Sequence, residues 1–270
     1  MKEFLLQEPL NPFTLLFVKP SFNISIFLFL AVFTCLNTFA DGESSVFPFK
    51  VSKANQTIKI DGKLDDAWLQ TEVRTLDHFR RYEKADDRQH TKFRMLWDTE
   101  NLYVFFECRD KYITARETKR DGQPYFDDCA EIFLIPAPAK LDMHYGLEVN
   151  LYKASNDFIF LTHFHQDKHT IIKSYNPDFA VEVFVEGTVN DNSDTDQGWN
   201  MEFAIPLKLF EGIDSISPVK PGNRWAFQAI RQDRNDSTGD RRSWGTLFEV
   251  AKENNGVHEP EDFGFLEFVD

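Results

Sequence analysis

Glu131 sits inside an otherwise apolar run, Cys129–Ile135, and is preceded by Tyr125, Asp127 and Asp128. A carboxylate beside buried surface costs free energy unless something pairs with it. The stretch "PYFDDCAEIFLIP" at 124–136 is therefore either a strand whose glutamate points to solvent or one built to hold a polar ligand. With the two-residue period of a strand, Glu131 shares its face with Cys129, Phe133 and Ile135, in line with apolar side chains. In "YGLEVNLY" at 145–152, Glu148, Asn150 and Tyr152 share one face while Leu147, Val149 and Leu151 share the other. Carboxylates and amides bind hydroxyl groups, charge-assisted bonds being about twice as strong as neutral ones, and an aromatic ring covers an apolar C–H face. A wall of Tyr125, Glu131 and Asn150 would thus suit a polyol. Alternatively, Glu131 and Glu148 are a carboxylate pair of the kind that hydrolyses glycosidic bonds across roughly 5 to 9 Å.

Other groups carry competing chemistry. His163 and His165 lie two apart with His169 close behind, a spacing that can hold zinc, nickel or copper. His258 in "HEPEDFG" contacts a ligand or caps the last strand, and Arg231 reaches a site or serves as a buried ion-pair partner. His144 or Met143 could be axial to a haem, but no C-x-x-C-H attachment motif is present. Asp61, Asp65, Asp66, Asp127 and Asp128 are candidate calcium ligands by abundance alone, without EF-hand spacing. No nucleophile elbow or zinc-protease motif occurs.

The elements that must position these groups are strands. "KFRMLWD", "NLYVFFECRD", "AEIFLI", "YGLEVNLY", "DFIFLTHF", "AVEVFVEG", "WNMEFAI", "RWAFQAIRQ" and "FGFLEFV" are rich in β-branched and aromatic residues. Several alternate, as where Val181, Val183 and Val185 face one way and Glu182 and Glu186 the other, the pattern of packed antiparallel sheets. "DTEN" at 98–101 predicts a hairpin, and "NDNSDTDQG" at 190–198 a loop. Short helices are expected at "DDAWLQ", capped by Asp65, and at "PLKLF", with Pro206 at its first position. Trp97, Trp199 and Trp225 fall in apolar alternation and read as core, whereas Trp244 is core or a binding platform. The expectation is an all-β fold, a single antiparallel, jelly-roll-like sandwich over 41–270.

The first forty residues differ. "FNISIFLFLAVFTCLNTFA" at 22–40 is apolar and uncharged, with Lys19 before it and "DGESS" after it. It reads as a secretory signal ending at Ala40, with a retained membrane anchor as the alternative. The expected location is periplasmic, cell-surface or extracellular. Cleavage would remove Lys2, Lys19, Glu3 and Glu8, two charges of each sign, so the net charge stays −14. That balance excludes nucleic acid as a partner, whose phosphates demand basic patches, and disfavours anionic lipid. Cys108 and Cys129 then remain, as two free thiols or as a disulfide.

The segments "IDGKLDDAW" at 60–68, "LWDTENLYVFFECRD" at 96–110, "PYFDDCAEIFL" at 124–134, "YGLEVNLY" at 145–152, "GWNMEFAIPLKLF" at 198–210, "GNRWAFQAIRQDR" at 222–234 and "HEPEDFGFLEF" at 258–268 span almost the whole chain after the leader. Their order resembles the family 9 carbohydrate-binding modules and their relatives. The resemblance implies a β-sandwich that binds oligo- or polysaccharides without catalysis, structural calcium, and glycan-degrading enzymes as partners of a monomer. It places Tyr125 at the first stacking aromatic, Glu131 at the hydroxyl-binding acid and Asn150 at an amide on the next strand. Glu148 stands where an arginine would be, Val257 where the second tryptophan would be, and Arg231 and His258 beside the slot. Haem-binding and ligand-free relatives of this sandwich are the remaining alternatives.

Overall fold

The computed structural model describes residues 47–79, 88–139, 143–165, 168–212, 218–251 and 256–270, with the backbone alone for 163–165. The leader and the side chains of His163 and His165 lie outside the described residues. Residues 44–270 form one compact unit.

Among the described residues the strands run in one continuous sheet that doubles over on itself. One half holds β1 (Phe49–Lys53), β4 (Thr91–Trp97), β5 (Asn101–Arg109), β10 (Ala180–Glu186) and β11 (Gly198–Pro206), ordered β10-β11-β5-β4-β1. The other holds β6 (Cys129–Ile135), β7 (Met143–Asn150), β8 (Ser155–His165), β9 (Lys168–Ile172), β12 (Arg224–Arg234) and β14 (Gly264–Val269), ordered β14-β12-β6-β7-β8-β9. The seam is β1, which pairs in parallel with both β14 and β4. Short strands β2 (Arg74–Thr75), β3 (His78–Phe79) and β13 (Arg242–Thr246) extend β4 and β12.

Alternation explains the layering. Phe93, Val104, Phe106, Met201 and Phe203 of one half meet Ala130, Ile132, Leu134, Val149 and Phe227 of the other in the main core. Phe227 stacks on Phe93 at 6.0 Å and meets Phe49 edge-on at 6.0 Å, so the two layers interdigitate through rings. Trp97, Trp199 and Trp225 are core, as the pattern implies. The "DTEN" turn joins β4 to β5 as an antiparallel hairpin. The two expected helices are single 3-10 turns, Trp68–Gln70 and Leu207–Phe210. Pro206 is the flanking residue of the second turn rather than its first member. Cys108 and Cys129 are both buried and unpaired; burial pushes the Cys108 thiol up to about 12.

Both outer faces are roofed, which alternation alone does not show. Over the first half, Ile58 and Trp68 cover Leu96, Tyr103 and Phe105. Glu202 pins this roof by accepting Trp68 Nε1 at 2.9 Å and the backbone N–H groups of Asp61 and Gly62 at 2.9 Å each. Gly62 has φ +73°, and a Cβ there would stand 2.7 Å from Phe184 N, so "IDGKLDDAW" needs its glycine. Over the second half, Phe263 and Val257 cover Phe133, Ile135, Phe158 and Ile230. Every residue of β6 is consequently buried, Glu131 included.

Candidate functional site: a carboxylate-floored cavity

Register builds the floor. Glu131 on β6 pairs directly with Glu148 on β7, and Glu148 with Asn156 on β8, so three polar side chains form a row across the outer face of the second layer. Glu131 is 1% exposed and Glu148 4%. Asn156 Nδ2 donates to Glu148 Oε2 at 2.6 Å, and the side chain of Gln232 hydrogen-bonds Glu131. Glu131 Oε1 is buried with no partner. The next row, Phe133–Gly146–Phe158, supplies an apolar shelf.

Burial, and then the neighbouring Glu148 charge, holds the Glu131 carboxyl well above the usual carboxylate range. Burial likewise pushes Glu148 up to about 7, against the pull of Asn156 and Lys173. Two carboxyls set opposite each other in a dry site cannot both ionise cheaply.

A cavity of about 230 Å3 opens above this floor. Tyr125, from the single turn Pro124–Phe126, forms one wall beside Arg242 and Gln232. Arg242 lies 4.5 Å over the Phe126 ring and donates to the Tyr125 carbonyl at 3.0 Å. Ile171 and Lys173 stand opposite, and Val257 and His258 come from the roof. His258 is wedged parallel to Phe160 at 4.7 Å and to Phe133 at 4.9 Å, with Nδ1 at 3.2 Å from His144 Nε2. Burial pulls His258 down to about 4 and His144 well below the ordinary imidazole range. A neutral imidazole pair thus anchors the roof. His144 is fully buried among Phe133, Phe158 and Phe160. His169 packs on Phe160 at the neighbouring strand.

Tyr125, Glu131, Glu148 and His258, all singled out in the sequence, meet at this cavity. Asn150 and Arg231 do not: the expectation for Asn150 is corrected, and for Arg231 the slot reading gives way to its alternative, a buried ion-pair partner. Asn150 closes the turn after β7: its Nδ2 donates to the Glu117 carbonyl at 2.8 Å and to Asp127 at 2.7 Å, and its Oδ1 accepts from Tyr152 N and Ala154 N. All its capacity is spent, because the chain must reverse there with its backbone buried. Arg231 points between the layers, ion-paired with Asp110 at 2.9 Å and with Asp233, and donates to the Arg109 carbonyl at 2.7 Å. Adjacent positions in a strand face opposite sides, which puts Arg231 away from its neighbours Ile230 and Gln232. Asp127 binds the backbone N–H groups of Arg116 and Glu117, and Asp128 those of Thr114 and Arg234, as turn-forming acids do. Trp244 lines a separate hollow of about 280 Å3 with His78 and Arg88.

Calcium can be tested against the acid groups present. Among the described residues, Asp110, Asp128 and Asp233 bring carboxylate oxygens within 4.8 Å of one another. The Arg231 guanidinium already lies among them, and their oxygens accept from Trp199 Nε1, Tyr112 N and Gln89 Nε2 as well as the backbone. Calcium takes six to eight oxygen ligands, so this cluster fits an internal ion-pair network and not a calcium cage.

Sequence reasoning missed Asn156, Phe158, Lys173, Gln232 and Arg242. Gln232 was legible as Ile230's same-face neighbour; Asn156 follows only once the β7–β8 register is known.

The sandwich and its cavity define a ligand-binding module of the kind built on two packed sheets. The chain matches the family described as "Carbohydrate family 9 binding domain-like" over residues 60–270 and belongs to it. Its fold is similar to that of a family 9 carbohydrate-binding module from Caldicellulosiruptor kristjanssonii in complex with cellotriose, at 19% identity and TM-score 0.57, covering 83% of this chain and 94% of that one. The glucose complex of a family 9 module from the same organism gives 18% identity and TM-score 0.55, covering 81% and 95%. No curated protein matches the chain.

Proposed function

We propose that this protein is a non-catalytic carbohydrate-binding module that holds one sugar unit of an oligo- or polysaccharide in the Glu131–Glu148 cavity. The observation that carries this reading is the buried, partnerless Glu131 Oε1 beneath a hollow that Tyr125 lines. A hydroxyl donor from a ligand would satisfy that oxygen, and the ring and the Phe158 shelf would meet apolar C–H faces. Family membership and the sugar-bound neighbours support the same ligand class. The hollow is smaller than the roughly 300–1,000 Å3 of drug-sized sites, which suits a single ring. A glycosidase must seat sugars on both sides of the bond it cuts, and this volume favours binding over cleavage. Export through residues 1–40, supported by the apolar leader, and service beside glycan-degrading enzymes, suggested by the family, complete the proposal.

Calorimetry against a glycan panel, with wild type and Glu131→Ala, tests it. Losing a hydrogen bond to a charged group costs about 1.5–3 kcal/mol, or roughly ten- to a hundred-fold in affinity. Equal affinity of the two proteins for the best ligand would remove Glu131 from the site, and no binding to any glycan would remove the function.

A further inference from the structure

The cavity meets its ligand with two acids and no base on the floor. Glu131 and Glu148 occupy directly opposed positions on neighbouring strands, where Cβ atoms stand roughly 4.5–5.5 Å apart. Both are buried, and Glu131 Oε1 has nothing to accept from. Like charges so placed are stabilised by a proton or by an incoming cation. A neutral sugar brings hydroxyl donors and no charge. A primary ammonium brings three N–H donors and the charge together.

The cations that line the cavity, Lys173 and Arg242, come from its rim and not its floor, though each attracts one of the acids. Lys173 is exposed on the rim. Arg242 is exposed too, drawn onto the Phe126 face and the Tyr125 carbonyl. His258 is held neutral against His144 by burial. A bare divalent ion fits poorly, since calcium wants six or more oxygens and Asn156 already takes one of the few available.

We propose that the cavity selects a sugar carrying a free amine, a hexosamine unit of a deacetylated glycan, with its ammonium seated between Glu131 Oε1 and Glu148. This rests on the sugar-binding reading above and names the substrate class of the same site. Phe158 and Tyr125 flank the ring of the sugar, and the floor, unlike the rim, reads its amine.

Calorimetry at about pH 7, where an amine is still mostly protonated and Glu148 is partly ionised, compares glucosamine, glucose and N-acetylglucosamine on the intact protein. A hydrogen bond to a charged donor exceeds a neutral one by about 1.4 kcal/mol, which corresponds to roughly tenfold. Glucosamine is expected to bind at least that much tighter than glucose. N-acetylation, which removes the charge, should abolish the gain, and Glu131→Gln should bring glucosamine down to the glucose level. If glucose or N-acetylglucosamine binds as tightly as glucosamine, the amine preference is wrong while sugar binding stands. If none of the three binds but neutral oligosaccharides do, the preference is again wrong. If nothing binds, both readings fall together.

Discussion

The ring of Phe158 fills the space that a side chain on Gly146 would need: a Cβ built on Gly146 would lie 2.2 Å from Phe158 Cζ. The two are direct partners between β7 and β8. The glycine lets the ring lie flat across β7 beside Glu148 and serve as the cavity's apolar shelf. Gly146→Ala should therefore displace Phe158. Overpacking of this kind costs about 1–3 kcal/mol, and in a chain of this size each kcal/mol lowers Tm by roughly 2–4 °C. Thermal unfolding together with glycan titration checks both consequences. A variant with unchanged Tm and unchanged affinity would show that the shelf is dispensable.

Arg231 holds the buried acids Asp110 and Asp233 in place from between the layers. Burial, followed by neighbouring charges, raises Asp233 to about 7 even with its partner present. Removing one partner from a buried pair costs about 3–5 kcal/mol, so Arg231→Met should fall by that amount in urea unfolding at pH 8. The deficit should shrink towards pH 5, where the stranded Asp233 carboxyl takes up a proton. A deficit that does not change with pH would argue against stranded charge as its cause.

Glu148 links stability to pH. Its carboxyl titrates at about 7 in the folded chain against an ordinary 4.5, chiefly because it is buried. The folded state thus binds more protons between those values, and stability falls as pH rises through the window and levels above it. Glu148→Gln removes that dependence. The stability of the variant relative to wild type should climb from about pH 4.5 to 7 by up to about 3 kcal/mol, at 1.36 kcal/mol per unit, and then stay flat. His144 and His258, whose folded values are depressed, lose stability as pH falls from 6.5, an effect common to both proteins that cancels in the difference. Denaturant melts across pH measure it, and a constant difference would contradict the buried acid pair.

Asn150 separates architecture from recognition. Its side chain ties the turn after β7 to Asp127 and Glu117. Asn150→Ala leaves buried donors and acceptors unmet at about 1–3 kcal/mol. Stability should drop while sugar affinity of the folded protein holds, as paired melting and titration would reveal. Affinity lost without stability would return Asn150 to the site.

Much of the layering was readable because alternation in "AVEVFVEG" and "YGLEVNLY" specifies which side chains face inward. Glu131 was readable for the same reason, standing in line with Phe133 and Ile135. Asn150 misled because it shares the face of Glu148, yet the strand ends there and the turn claims its amide; face parity gives direction and not distance along the strand. For Arg231 the sequence left a slot residue and a buried ion-pair partner open, and only the fold, which brings Asp110 from β5's end to neutralise it, selects the second. Lys173 and Arg242 reach the rim from a strand edge and from β13, contacts that depend on long-range register.

The decisive measurement is a crystal structure with a bound glycan. One sugar ring should occupy the cavity beside Tyr125, with a hydroxyl or amine donor within hydrogen-bond distance of Glu131 Oε1. A sugar found in the hollow lined by Trp244, or on an outer face with Glu131 Oε1 still unpartnered, would contradict it.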